Sequence, residues 1–185
     1  MEQISKEEPQ VVPLTKRHDL TSFESTNADL NDFLKNDSLN DQNELISRTY
    51  LCIWKNSIVG YFSIVADTIE VQAIDETDRI EGYPYRKYPS IKIARLAVDR
   101  RFERKGFGRF LVLAAIGLVL SVSEIIGCRY LTVDSKPESI NFYEKLGFKV
   151  VERYRRSEFP KMYLDMYPIV GMMQPKESLE EFEKM

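Results

Sequence analysis

One histidine and two cysteines are all the imidazole and thiol groups in 185 residues, too few for a zinc site of the usual kind. Cys52 and Cys128 each sit inside an apolar, strand-like run and read as buried free thiols. Glycine and proline are scarce, eight of each, which excludes a collagenous or low-complexity chain. No period of about 20 to 50 residues recurs, so a repeat architecture is excluded too. The longest apolar run, 110–122, is 13 residues with one serine, whereas crossing a bilayer takes about 20. Glu2, Glu7 and Glu8 precede any apolar run, the reverse of a secretory signal. A cytoplasmic protein without a membrane partner is expected.

What is present fits a globular protein: 43% apolar and 11% aromatic residues, with 30% charge in mixed signs. The length predicts one domain over 1–185, with a core at 11–166 and an appended C-terminal helix at 172–185, where Leu179 and Phe182 keep helical spacing. The net charge is −3, but nine basic residues against two acidic ones fall between 84 and 110. A basic segment on an acidic chain points to a local anionic ligand.

Residues 11–15 predict a short strand, and Asn27 caps a helix whose apolar face is Leu30, Phe33 and Leu34. Segments 47–55 and 58–65 flank Asn56-Ser57, a hairpin signal. Residues 67–89 read as an extended connection. A strand at 91–98, a helix at 107–126 and a strand at 130–134 follow. Pro137 opens a short helix that Gly147 ends, and 148–154 and 161–166 are two more strands. The order predicts an α/β (α+β) fold, a single mixed sheet with helices on both faces, in which the central helix joins two parallel strands.

Two segments carry chemistry. In 96–109, LAVDRRFERKGFGR, a strand runs through a basic loop with Gly106 and Gly108 into a helix whose first-turn N–H groups can hold a phosphate. It is not a P-loop, because no G-x-x-x-x-G-K-[ST] is present, nor the G-x-G-x-x-G dinucleotide fingerprint, because position 111 is Leu. In 139–148, SINFYEKLGF, Phe142, Leu146 and Phe148 look like packing residues, whereas the Tyr143 hydroxyl can move a proton. Taken alone, the first motif is also a tight turn with close helix packing, and Tyr143 a core tyrosine. His18 precedes the first helix and reads as a turn residue.

Taken together, L-A-V-D-R-R-F-x-R-K-G-F-G-R-F-L at 96–111 and N-F-Y-E-K-L-G-F at 141–148 resemble the GNAT superfamily of acyl-CoA-dependent N-acetyltransferases in order and spacing. The resemblance implies a GNAT-like sheet whose parallel strands, 91–98 and 130–134, splay to admit acetyl-CoA, with no metal. Residue by residue it implies that backbone groups of Leu96 and Val98 bind the acetyl carbonyl and pantetheine. The N–H groups of Arg104, Lys105, Gly106, Phe107, Gly108 and Arg109 would hold the pyrophosphate, Asn141 would lie near the pantetheine arm, and Tyr143 would protonate the departing thiolate. Glu103 and Arg104 depart from the family pattern Gln/Arg-x-x-Gly-x-Gly/Ala. Neither removes a backbone donor, but Glu103 repels phosphate unless turned outward.

KRHDLTSFESTNADLNDFLKND, SRTYLCIWKNSIVGYFSIVADTIEV and ARLAVD are further similar to the GNAT toxins that acetylate aminoacyl-tRNA, whose partner is a ribbon-helix-helix antitoxin. That likeness implies an RNA surface to which Arg86, Lys87, Arg95, Arg153, Arg155 and Arg156 contribute. The alternatives are a protein or small-molecule amine as acceptor, or a catalytically silent acyl-CoA-binding module. A homodimer would use the apolar helix or the tail helix. The residues select no general base.

Overall fold

The computed structural model of the chain describes residues 8–173. Seven strands form one sheet in the order β1-β2-β3-β4-β5-β7-β6. They are β1 (Gln10–Pro13), β2 (Arg48–Trp54), β3 (Ser57–Glu70), β4 (Lys87–Val98), β5 (Tyr130–Asp134), β6 (Lys149–Val150) and β7 (Lys161–Asp165). Every pairing is antiparallel except β4 with β5, which are joined by α3 (Phe107–Ser123). The other helices are α1 (Ala28–Asp32), α2 (Ser38–Asn43), α4 (Ile140–Glu144) and α5 (Tyr167–Met173). Among the described residues no helix is long and apolar enough to cross a membrane.

Asn27 caps α1 as expected, its side-chain oxygen accepting from the N–H groups of Asp29 and Leu30 at 2.9 and 3.3 Å. A π-turn over Phe33–Asp37 carries the chain on to α2, and the Ser38 hydroxyl donates back to the Leu34 carbonyl there. Phe33 and Leu34 press on Tyr61 from one face of the sheet. On the opposite face Leu111, Val112, Ala115, Ile116 and Val119 of α3 are buried against the sheet. A Cβ on Gly60 would stand 2.7 Å from Leu111 Cδ1 and 2.9 Å from the Ala97 carbonyl oxygen, so this glycine permits the close approach of α3.

Four expectations need correction. The hairpin turn is Lys55-Asn56 rather than Asn56-Ser57, because those two residues hold the paired positive φ values, +48° and +57°, that a two-residue turn demands. The connection is 71–86 rather than 67–89, since β3 and β4 extend their ladder to Glu70 and Lys87. The central helix stops at Ser123. Only Lys149–Val150 of 148–154 is strand, and Glu152–Tyr154 closes into a 3₁₀ turn. Helix α5 is an addition to the predicted elements, and 174–185, most of the expected tail helix, lies outside the described residues.

Segment 71–86 is fastened by tyrosines. Tyr130 donates to the Asp78 carbonyl and Tyr163 to its carboxylate, while Tyr163 and Tyr88 accept the N–H groups of Asp75 and Ile80. Burial pushes the Tyr130 hydroxyl up to about 12. Cys52 and Cys128 are free thiols, and burial raises both, Cys52 to about 11.

Candidate active site

The site follows from a fork in the sheet. β4 pairs with β5 only over Ser90–Ile93 against Tyr130–Val133. Ala94 then forms a bulge, because β3 pairs Ser63 with Arg95 but Ile64 with Ile93, and the extra residue turns β4 away from β5. The Asp99 N–H donates to the Val59 carbonyl across the β3–β4 ladder. By alternation Ala97 and Arg95 also face β3, so Leu96 and Val98 direct their backbone groups to the open side. That side is a cleft of about 810 Å³, lined by Leu96, Val98, Asp134 and Tyr143 among others.

Past β4 the chain is held by Asp99, whose fully buried carboxylate accepts from the N–H groups of Glu24 and Arg101 and from the Arg101 guanidinium. Burial alone would raise this carboxyl, but the Arg101 and Glu24 donors hold it below the usual range. Arg104 and Gly106 both have positive φ, +57° and +89°, and Gly106 caps α3. Phe110 N–H closes the first turn on the Gly106 carbonyl, leaving Phe107, Gly108 and Arg109 with N–H groups that have no acceptor within the helix. Phe107 anchors the loop against Trp54 and Phe102, at centroid distances of 5.5 and 5.9 Å. A Cβ on Gly108 would meet Phe142 at 3.7 Å and Val98 at 3.9 Å, ordinary van der Waals separations. The Lys105 ammonium folds back onto the Arg101 carbonyl, while Arg104 and Arg109 are exposed. Glu103 lines the cleft, whereas residues 104–109 do not.

Tyr143 is 7% exposed and packs edge-on against Phe142 and Phe148. Burial pushes its hydroxyl up to about 12, so it keeps its proton at neutral pH. Four other buried tyrosines, 61, 88, 130 and 163, each have a hydrogen-bonded hydroxyl. The Tyr143 hydroxyl has no protein partner among the described residues, and its side chain lines the cleft. Asn141, two residues earlier, is exposed and does not line it. His18 accepts from Thr15 N–H at 3.0 Å in a local turn, away from the cleft.

The fold also brings in residues that the motifs did not mark. Asn27, Asp29 and Leu30 of α1 and its entry form one wall, and Lys92, Asp134, Lys136 and Phe159 line another part. No local signal announces them as cleft residues, since α1 and the following π-turn reach β4 only by tertiary packing, with Leu30, Phe33 and Leu34 in the cluster that includes Ala97. Of the basic surface residues, Arg153 is paired with Glu70 and Arg155 with Glu152, Arg95 stacks on Phe33, and Arg86, Lys87 and Arg156 are exposed.

A model of the acetyltransferase (GNAT) family matches residues 14–148. A tRNA-acetylating toxin of Mycobacterium tuberculosis is 29% identical over 133 residues, covering 71% of this chain and 79% of that protein. Among solved structures, AtaT complexed with acetyl-methionyl-tRNAfMet superposes with a TM-score of 0.80 at 24% identity, over 90% of this chain and all of AtaT. A tyrosine-to-phenylalanine mutant of KacT does so at 0.78 and 21%, over 89% of this chain and 99% of that one. These two likenesses carry the fold.

Proposed function

Because the chain belongs to the acetyltransferase (GNAT) family and uses acetyl-CoA as acetyl donor, we propose that its acceptor is the α-amine of aminoacyl-tRNA and that Tyr143 is the general acid. The observation that carries the acceptor is the likeness to a protein named for acetylating tRNA. The exposed basic residues support it. A cytoplasmic location and a ribbon-helix-helix antitoxin as partner belong to the same reading.

The groups present suit this donor. The backbone of Leu96 and Val98, open on the β5 side, would receive the thioester carbonyl and pantetheine, and the first-turn N–H groups of α3 would take the pyrophosphate. The amine attacks the thioester carbon, and the Tyr143 hydroxyl gives its proton to the departing sulfur. The ammonium of an aminoacyl ester is more acidic than that of a free amine, so much of the acceptor is neutral at physiological pH.

Incubation with radiolabelled acetyl-CoA and bulk aminoacylated tRNA tests this. The expected product is acid-precipitable label that mild base releases as N-acetyl amino acid. No label on tRNA, with label on free amines or proteins instead, would overturn the acceptor.

A further inference from the structure

We propose that Asp134 is the acceptor-side group of the reaction, orienting the attacking amine and taking its proton, with Lys92 as the residue that positions it. The inference rests on the acetyl-transfer reading above and adds the group that the motifs do not select.

Ile91, Ile93, Leu131 and Val133 pack into the cluster under α3, whereas Tyr88 and Tyr130 belong to the cluster on the other face. Alternation therefore puts Lys92, Thr132 and Asp134 on the face away from α3. Tyr143 belongs to the α3-side cluster, yet it lines the same cleft as Asp134. The fork opens immediately after Ile93 and Val133, so Asp134 is the first β5 residue beyond its apex. A proton donor and a carboxylate thus reach the fork from opposite faces. Acyl transfer is served by that separation, because the attacking amine must lose a proton while the departing thiolate gains one.

The neighbours hold Asp134 in place. Lys92 Nζ pairs with its Oδ2, and Lys161, its cross-strand partner, pairs instead with Asp67, which also accepts from the Thr132 hydroxyl. Oδ1 of Asp134 has no protein partner among the described residues, and its side chain is 37% exposed. The other cleft carboxylates are placed differently: Glu103 sits at the entry to the phosphate loop and Asp29 on the first turn of α1. In the step, the amine lone pair forms the C–N bond and the C–S bond breaks. The sulfur takes the Tyr143 proton, and the new ammonium gives one proton to Asp134.

Asp134→Asn, Asp134→Glu and Lys92→Met are to be compared with the parent using bulk aminoacylated tRNA and amino-acid methyl esters as acceptors, with acetyl-CoA affinity by calorimetry and a thermal melt of each. Asp134→Asn should lower kcat/KM for the acceptor by roughly 10²-fold while acetyl-CoA affinity holds. Asp134→Glu should recover part of that, and Lys92→Met should lose about tenfold or less, since the carboxylate remains. If the ion pair merely straps β4 to β5, removing either end has equal effect and acetyl-CoA affinity falls in parallel, which overturns the proposal. So does Asp134→Asn with more than about half the parent rate, far above the acid–base range. A parent that acetylates the esters but not tRNA sinks the tRNA reading and leaves Asp134 to be judged on the esters. A parent inert to both sinks the acetyl-transfer reading and the Asp134 assignment together.

Discussion

Four buried tyrosines here have hydroxyls hydrogen-bonded within the protein, whereas the Tyr143 hydroxyl has no protein partner among the described residues and opens to the cleft. A hydroxyl that only faces the cleft adds no protein hydrogen bond to the fold, so its place is explained by what it meets there. Tyr143→Phe should therefore leave the melting temperature unchanged or slightly raised, where loss of a satisfied tyrosine hydroxyl costs about 1 kcal/mol. Turnover should fall by roughly 10²–10⁴ at unchanged acetyl-CoA affinity, as expected for a proton donor acting in the transition state. Thiol-release kinetics beside a melt of both proteins measure this, and a variant keeping more than about a tenth of the parent rate would remove the acid role. The pH profile carries the same assignment independently. With the phenol raised to about 12, the acid form persists through pH 10 and the parent rate shows no tyrosine limb there. An unshifted tyrosine, ionising near about 10, would already have cost half the rate at that pH.

At the scale of elements, the loop from β4 to α3 is organised by one carboxylate. Asp99 ties residues 24 and 101 to the strand end before Gly106 turns the chain into the helix. Asp99→Asn keeps the shape but weakens the paired guanidinium and N–H bonds, and should cost about 1–3 kcal/mol at neutral pH. Its folded-state pKa is depressed, so the contribution is present above the ordinary carboxylate range and lost as pH falls through the folded value. Urea titrations of both proteins should accordingly differ by a constant amount from pH 6 to 8, and the difference should begin to shrink only below about pH 4, as pH falls toward the depressed folded value. The same loop shows what a sequence can disclose. Strand, glycines and helix start are local and are legible in LAVDRRFERKGFGR, as is the YLTVD strand, whose limits are those observed. The Ala94 bulge that opens the fork is not, because a bulge is a register event between two strands and leaves no mark on one of them. Nor is the tethering of 71–86, which depends on Tyr88, Tyr130 and Tyr163 arriving from three strands. In VVERY the β-branched pair reads as strand, yet only a two-residue pairing with β7 is available and the chain turns.

At the scale of the whole molecule, Lys87 and the cleft lie at opposite ends of β4, whereas Arg95 lines the cleft itself. Lys87 and Leu96 are nine residues apart on that strand, which at the usual rise is about 30 Å. A small amine in the cleft would never meet Lys87, whereas a nucleic acid with its charged end in the cleft would extend over that distance. The exposed basic residues are not equivalent. Glu70 lies across the ladder from Lys87 and already holds Arg153, and Glu152 holds Arg155 through two hydrogen bonds. Arg86 and Arg156 are exposed and have no ion-pair partner among the described residues. Replacing Arg86, Lys87 and Arg156 together by Ala should weaken tRNA binding and reduce the slope of log K against log salt by about 2–3, since each phosphate that a side chain neutralises releases roughly 0.7–0.9 of a counterion. Alanine at Arg153 and Arg155 should reduce it by less than about 1, because their charge is already matched within the protein. Filter binding at several salt concentrations measures both slopes, and acetyl-CoA affinity and turnover of amino-acid esters should stay at the parent level in each variant. Equal slopes for the two sets would mean that the RNA displaces Glu70 and Glu152 from their arginines. A slope unchanged in both would place the tRNA body on another face of the sheet.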